Sequence, residues 1–146
     1  MDDLYKYDSK SIGSKGLVFI GDKVLVYRRD TKTDIHPLEL DLPGGGPEGT
    51  ETPFETFKRE VCEEFGLTIE PADIVYARRY PSTMRTGMSA YFPVAKLPSD
   101  TENNIKFGDE GLEFLLMPIM EYVARTDAWS IFQARAVDYM ESVSMR

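Results

Sequence analysis

The feature that most constrains the fold is a helix with well-marked ends near the middle of the chain. Thr52 is a good N-cap, and Pro53 stands at the first helical position, where its missing N–H costs nothing. Glu55, three residues after Thr52, completes a capping box. Gly66 is typical of the position just after a last helical turn. These signals predict a helix over Pro53–Phe65.

This helix would carry an apolar face and an acidic face side by side. At the α-helical period, Glu60, Glu63 and Glu64 share one arc of roughly 100°. The adjacent arc holds Phe54, Phe57, Val61 and Phe65. Carboxylates four residues apart repel each other, and the helix dipole disfavours anions near the C-terminus. A bound divalent cation would turn this repulsion into coordination, and oxygen ligands suit Mg²⁺ or Mn²⁺ rather than zinc. A merely solvated acidic face is the alternative.

Strand-like patterns lie on both sides of the helix. Residues 16–20 and 24–28 are apolar, β-rich runs around Gly21, which predicts a hairpin. Further strands are predicted at residues 38–42, 74–80, 88–95 and 113–117. The run PGGGP at residues 43–47 is not expected to form regular structure.

The C-terminal part of the chain is predicted to be helical. A short helical piece is expected after Pro118, and a longer helix from about Ser130. Its apolar face would contain Phe132, Ala136, Tyr139, Met140 and Val143. The order of strands, helix, strands and helix predicts a mixed α/β sandwich in which helices cover a sheet, without a domain boundary.

The charge of the chain bears on its partners. There are 25 acidic and 17 basic residues, a formal net charge of −8, and this balance disfavours binding to duplex nucleic acid. The only cysteine, Cys62, permits no internal disulfide and fits a reducing compartment. The acidic N-terminus lacks the apolar core of a signal peptide, and no apolar run could span a bilayer. A cytoplasmic protein without a membrane partner is therefore expected.

Residues 45–67 contain a longer pattern. Gly45 is followed after five residues by Glu51, and after seven more by the run REVCEEFGL at residues 59–67. This resembles the complete signature of the Nudix (MutT-type) hydrolase family, G-x5-E-x7-R-E-U-x-E-E-x-G-U, where U is a bulky aliphatic residue. Val61 and Leu67 occupy the U positions. The resemblance implies a Nudix-type α/β/α sandwich with a mixed sheet and a loop–helix–loop catalytic motif, as a single domain over residues 1–146.

The resemblance also implies an activity and a metal site. The expected reaction is Mg²⁺- or Mn²⁺-dependent hydrolysis of a phosphoanhydride in a nucleoside diphosphate linked to another group. A nucleoside triphosphate, a nucleotide sugar, ADP-ribose or a similar compound would be the substrate, and the nucleophile would be a metal-activated water. Glu60 and Glu64 would be the principal ligands. Glu63 would assist directly or through water, and the Gly45 carbonyl could complete the shell.

Other residues receive roles around that site. The backbone could approach the phosphates at three glycines, Gly44, Gly45 and Gly46. Arg59 and Glu51 would orient the carboxylates, or form a plain salt bridge. The resemblance places a general base in the loop before the last strand, where Glu110 is the first choice and Glu113 the second, although both could be solvated acids. Arg28 and Arg29 could reach a substrate phosphate or base.

Three other functions share the fold. A catalytically idle nucleotide-binding domain would have no need of intact carboxylates. An isomerase with a Cys/Glu proton relay would need a better placed thiol than Cys62. Action on capped RNA is disfavoured by the acidic balance. The sequence leaves the choice of nucleotide open, and it leaves open the homodimer that is common in the family.

Overall fold

A mixed β-sheet with helices on both faces forms the protein, as the computed structural model of residues 1–145 shows. The strands are β1 (Ser11–Lys15), β2 (Leu17–Ile20), β3 (Lys23–Arg29), β4 (Leu40–Asp41), β5 (Gly44–Gly45), β6 (Ile74–Pro81), β7 (Ser89–Leu97) and β8 (Gly111–Pro118). The helices are α1 (Pro53–Phe65), α2 (Ile119–Ala124) and α3 (Ser130–Ser144). Short 3-10 turns cover Asp2–Tyr5, Pro71–Asp73 and Ser99–Asn104.

Strand β7 lies at the centre of the sheet. It pairs in parallel with β1 and β2, and antiparallel with β6. The strand order is β4-β3-β2-β7-β1-β5, with β8 paired to β3 and β6 to β7. Parallel and antiparallel pairs therefore occur in one sheet, which confirms the predicted mixed architecture. The β2–β3 hairpin turns at Gly21, where a positive φ of 64° suits a residue without a side chain.

Helix α1 begins and ends where the sequence predicts. The Thr52 hydroxyl accepts the amide of Glu55 at 3.1 Å, and the Glu55 carboxylate accepts the amide of Thr52 at 2.9 Å. Gly66 follows the helix with a φ of 67°, and its amide donates to the carbonyl of Cys62. The apolar face packs on the sheet, with Phe57, Val61 and Phe65 fully buried. Burial of this face orients the acidic face towards the neighbouring loop.

Helices α2 and α3 cover the opposite face of the sheet. Their buried side chains form a second apolar cluster with β2, β3 and β7. This cluster includes Tyr122, Phe132, Ala136 and Tyr139. The predicted apolar face of α3 is wrong at Val143, which is 43% exposed. No helix within residues 1–145 has both the length and the apolarity to cross a membrane.

Two predictions about strands require correction, and one strand was not predicted. Strand β1 was not predicted, because the sequence SIGSK has little apolar character, and pairing with β7 and β5 creates this strand. The strand predicted at residues 38–42 contracts to Leu40–Asp41, since Leu38 adopts a φ of 64°. Residues 43–47 were expected to be irregular, yet Gly44–Gly45 form β5 by pairing with β1.

Candidate functional site

Three carboxylates converge where α1 faces the loop before β8. Each of Glu60, Glu64 and Glu110 offers an oxygen, and these oxygens lie within 4.8 Å of one another. Glu60 and Glu64 share a face because they are one helical turn apart. Glu110 comes from a segment far along the chain. We call this set the carboxylate cluster.

Hydrogen bonds to the end of α1 hold the third carboxylate near the other two. The amide of Lys106 donates to the carbonyl of Phe65, and that of Gly108 to the carbonyl of Glu64, both at 2.8 Å. The last carbonyls of a helix lack partners within the helix, so these amides satisfy them. The same bonds fix the start of the loop that carries Glu110 to the cluster.

Glu64 is the most deeply buried acid of the cluster. Its residue surface is only 3% exposed, and its carboxylate accepts the amide of Gly44 at 3.0 Å. Burial raises the pKa of Glu64 to about 9, with Glu60 and Glu110 adding repulsion, although Lys15 and the Gly44 amide oppose the shift. Burial likewise raises the pKa of Glu60. A divalent cation would offset these unfavourable charges, so the donor set and its electrostatics fit a hard cation such as Mg²⁺ or Mn²⁺.

The backbone of residues 44–46, which we call the glycine loop, passes close to Glu60. A Cβ built on Gly45 would lie 2.5 Å from the carboxyl carbon of Glu60, closer than van der Waals contact allows. At Gly44 a φ of 127° and the carbonyl of Ser14, 2.0 Å from a built Cβ, exclude any side chain. Gly46 meets nothing closer than 3.7 Å. A side chain at Gly44 is therefore excluded, whereas one at Gly45 would displace the Glu60 carboxylate from its place in the cluster.

Arg59 ties the helix to the glycine loop. Its guanidinium donates to both oxygens of Glu51, at 2.7 and 3.1 Å, and to the carbonyl of Gly46 at 2.8 Å. It also donates to Glu60 at 3.0 Å and to Glu63 at 3.3 Å. These bonds, with that to Glu51 first, raise the pKa of Arg59 and lower that of Glu51. One guanidinium thus contacts the loop backbone and three carboxylates.

Four other predicted residues lie outside the carboxylate cluster. The side chain of Glu63 is 51% exposed and faces Arg59. Arg28 donates to Glu113 and Asp127, both at 3.2 Å, and to the carbonyl of Leu38. Arg29 donates to Asp41 at 2.7 Å and to Thr33. The guanidinium groups of Arg28 and Arg29 are therefore engaged by partners within the chain.

A buried charge centre forms at Asp41, which was not predicted from the sequence. This fully buried carboxylate accepts the Lys15 ammonium at 2.8 Å, Arg29 at 2.7 Å and the Tyr27 hydroxyl at 3.2 Å. Burial opposes its ionisation, but Lys15 and Arg29 outweigh that effect and lower the pKa of Asp41. An acid within the apolar run LELDL was the available signal.

An open cavity of about 210 Å³ adjoins the glycine loop. Gly45, Gly46 and Lys15 line one part of it, and Trp129, Phe132 and Arg135 of the α3 region another. Arg135 is only 5% exposed. Arg135 was not predicted as a site residue, although its position three residues after Phe132 and four before Tyr139 places it on the buried face of the helix.

The site combines a helix that carries carboxylates with a glycine loop, and both lie beside a mixed sheet. The family model of the NUDIX domain matches residues 14–138. This chain belongs to the Nudix family, and that membership supports a hydrolase as its class of enzyme.

Solved structures share the fold. A MutT protein from Methanosarcina mazei has a TM-score of 0.72 at 21% identity, covering 92% of this chain and 97% of the other. A NUDIX hydrolase from Nitrosomonas europaea has a TM-score of 0.71 at 22% identity, covering 92% and 72%. An Ap4A hydrolase from C. elegans has a TM-score of 0.69 at 11% identity, covering 92% and 99%. Among curated proteins, no sequence matches this chain.

We expect Asp41→Asn to destabilise the fold by about 3 kcal/mol, because it removes the anion shared by Lys15 and Arg29. The measurement is the free energy of unfolding in urea at pH 7. The lowered pKa of Asp41 stabilises the folded state above the ordinary aspartate pKa, about 3.9, and this contribution is lost as the pH falls. The deficit of the variant should therefore shrink below about pH 4.

The matched control is Glu70→Gln, which removes an exposed pair with Lys58 at 3.5 Å. It should change the free energy of unfolding by less than about 1 kcal/mol. An Asp41→Asn protein as stable as the wild type would contradict the structural role assigned to Asp41.

Proposed function

We propose that this protein hydrolyses a phosphoanhydride bond in a nucleoside diphosphate linked to another group, with Mg²⁺ or Mn²⁺ as cofactor. The observation that carries the proposal is the carboxylate cluster. Its three oxygen donors, two of them on one helix turn, lie within 4.8 Å beside a glycine backbone. Substrates of this kind include nucleoside triphosphates, nucleotide sugars and ADP-ribose.

Glu60, Glu64 and the Gly45 carbonyl would hold the cation, with Glu63 reaching it through water. A bound divalent cation polarises phosphate oxygens and lowers the pKa of a coordinated water. Gly44 donates its amide to Glu64, which fixes that carboxylate. Arg59 and Glu51 are positioning residues, because Arg59 joins Glu51, Glu60 and the carbonyl of Gly46. Ligand geometry depends on such supporting contacts.

Glu110 would accept the proton of the attacking water. Its side chain is exposed, so it has access to solvent, and it lies beside the two helix carboxylates. The alternative Glu113 is held by Arg28 at 3.2 Å, which favours Glu110 for this role.

The cavity next to Gly45 and Gly46 supports a nucleotide as substrate. It begins at Gly45, the glycine that faces Glu60, so a diphosphate at the cluster would leave its nucleoside beside the cavity. The lining is mainly apolar and aromatic, which suits a base. The structure is also similar to that of an Ap4A hydrolase, and this similarity is consistent with a nucleotide as the substrate.

The test of the proposal is a substrate panel assayed with Mg²⁺ or Mn²⁺, with and without EDTA, and with products identified by mass. We expect cation-dependent release of a nucleoside monophosphate. Glu64→Gln should lower the rate at least about a hundredfold, a typical scale for losing one electrostatic group at a reaction centre. Its amide oxygen can still accept the Gly44 amide, and a neutral amide places no charge at this buried position, so the melting temperature should not fall.

Glu70→Gln, on exposed surface away from the cluster, should leave the rate unchanged and serves as the control. A wild-type protein that binds nucleotides but hydrolyses none of the panel would contradict the proposal. That outcome would favour the idle binding domain.

A second variant separates proton transfer from cation binding. Glu110→Gln should lower kcat by about 10²- to 10⁴-fold, because the general base is lost. Its dissociation constant for Mn²⁺, measured by calorimetry, should change little. Glu60→Gln should weaken Mn²⁺ binding and lower kcat together. Glu113→Gln is the matched control and should affect neither quantity. If Glu110→Gln weakens Mn²⁺ binding as much as Glu60→Gln does, Glu110 is a ligand and the assignment as base is wrong.

A further inference from the structure

The loop before β8 folds around one aromatic side chain. We call residues 105–110 the β8 loop. The ring of Phe107 lies 5.7 Å from that of Phe65 on α1 and 6.3 Å from that of Tyr27 on β3, between centroids. It also lies 5.8 Å from the ring of Phe114 on β8. Aromatic rings attract each other at these distances. Three elements of the fold therefore hold Phe107, although the loop itself contains no helix or strand.

Gly108 brings this loop against the end of α1. Its amide donates to the carbonyl of Glu64 at 2.8 Å. A Cβ built on Gly108 would lie 2.9 Å from the carbonyl oxygen of Glu63, which is closer than van der Waals contact allows. That oxygen belongs to the helix backbone and cannot turn aside as a side chain would. Glycine at this position therefore permits the contact between the loop and the helix.

Gly111 fixes the other end of the loop. A Cβ built on it would lie 2.7 Å from the carbonyl oxygen of Arg28 and 3.1 Å from the Cζ atom of Phe107. Neither Gly108 nor Gly111 has a positive φ. Glycine is therefore required at both positions by the close approach of neighbouring atoms, and not by a turn conformation. The ring of Phe107 thus reaches from one end of the loop to the other.

Glu110 lies between these two fixed points. Its side chain is exposed, and its carboxylate offers an oxygen within 4.8 Å of those of Glu60 and Glu64. An exposed side chain receives little support from packing, so the backbone of the loop determines where this carboxylate lies. A displacement of about 1 Å at a reacting group can lower a rate by about 10²-fold.

We propose that Phe107 is a positioning residue that sets the place of Glu110 opposite the carboxylates of α1. Its ring joins Gly111 to the aromatic side chains of α1 and β3. This inference rests on the proposed function, because Phe107 acts through Glu110 as the acceptor of the proton of water. Without the ring, Glu110 would keep its chemistry but lose its fixed position.

Backbone order parameters of the ¹⁵N-labelled protein, measured without cation or substrate, test the positioning directly. The amide of Glu110 should be rigid in the wild type, with an order parameter of about 0.85, and should fall below about 0.6 in Phe107→Leu. Phe19→Leu is the matched control. Phe19 is 7% exposed and lies 6.0 Å from the ring of Tyr139 in the second apolar cluster, so its replacement removes a ring without touching the loop. Circular dichroism melting verifies that both variants fold, and Phe107→Met provides a second variant if the leucine is not tolerated.

Kinetics separate positioning from a purely structural role. With a substrate that the panel identifies, Phe107→Leu should lower kcat about 10- to 100-fold, while KM and the dissociation constant for Mn²⁺ change less than about twofold. In a Glu110→Gln background the same replacement should have no further effect on kcat, because its influence passes through Glu110. Phe19→Leu should leave kcat unchanged in both backgrounds.

An order parameter of Glu110 that is already low in the wild type, or that both Phe107 variants leave unchanged, would overturn the inference. An unchanged kcat in these variants, a loss of kcat that persists in full in the Glu110→Gln background, or an equal loss in Phe19→Leu would also overturn it. The proposed function fails separately. A wild-type protein without hydrolysis would refute that function, and the order parameters would still test the position of Glu110. Hydrolysis that depends on Glu110 but not on Phe107 would do the reverse.

Discussion

The contact between the Glu64 carboxylate and the backbone of Gly44 is the interaction on which the rest of the site depends. It joins α1 to β5, the short strand that closes one edge of the sheet, at a hydrogen-bond distance of 3.0 Å. A carboxylate buried to this degree needs donors or cations, because its charge is otherwise poorly solvated. The glycines make the contact possible, since a side chain at Gly44 would meet the carbonyl of Ser14.

Two buried acids show how the protein treats charge in different ways. Asp41 is compensated by Lys15 and Arg29, and its pKa lies below the ordinary value. Among residues 1–145, no cation forms a salt bridge with Glu64, and burial raises its pKa to about 9. A buried acid with cationic partners is typical of a structural site. A buried acid in a cleft whose pKa is strongly raised is typical of a functional site. This contrast assigns Asp41 to the stability of the fold and Glu64 to the proposed chemistry.

The parts that were predicted from sequence are those set by local rules. The capping box of Thr52 and Glu55 and the glycine stop at Gly66 depend on neighbours in sequence, and α1 has the predicted limits. The packing of α1 on the sheet follows from its apolar face, which includes Phe57, Val61 and Phe65. The fold class also followed, since the order of elements and the family signature both indicate it.

The parts that were missed depend on partners distant in sequence. Strand β1 exists because β7 and β5 flank it, and residues 43–47 contain a strand only because β1 is present. The helical period places Arg135 on the buried face of α3. The sequence does not show that this residue lines a cavity, because β1, the glycine loop and α3 form that cavity together. The residues next to Arg135 in sequence do not indicate which side chains surround its guanidinium in the folded chain. Roles at the carboxylate cluster stay predictions until a cation is measured there.

The most direct test of the central claim is nuclear magnetic resonance of the uniformly ¹⁵N-labelled protein during titration with Mn²⁺. Paramagnetic broadening should appear first at the amides of Gly44, Gly45 and Gly108, which surround the carboxylate cluster. In Glu60→Gln this selective broadening should require much higher Mn²⁺ concentrations. Broadening that is uniform, or that is centred on exposed acids such as Asp2 and Asp3, would contradict a cation site between α1 and the glycine loop.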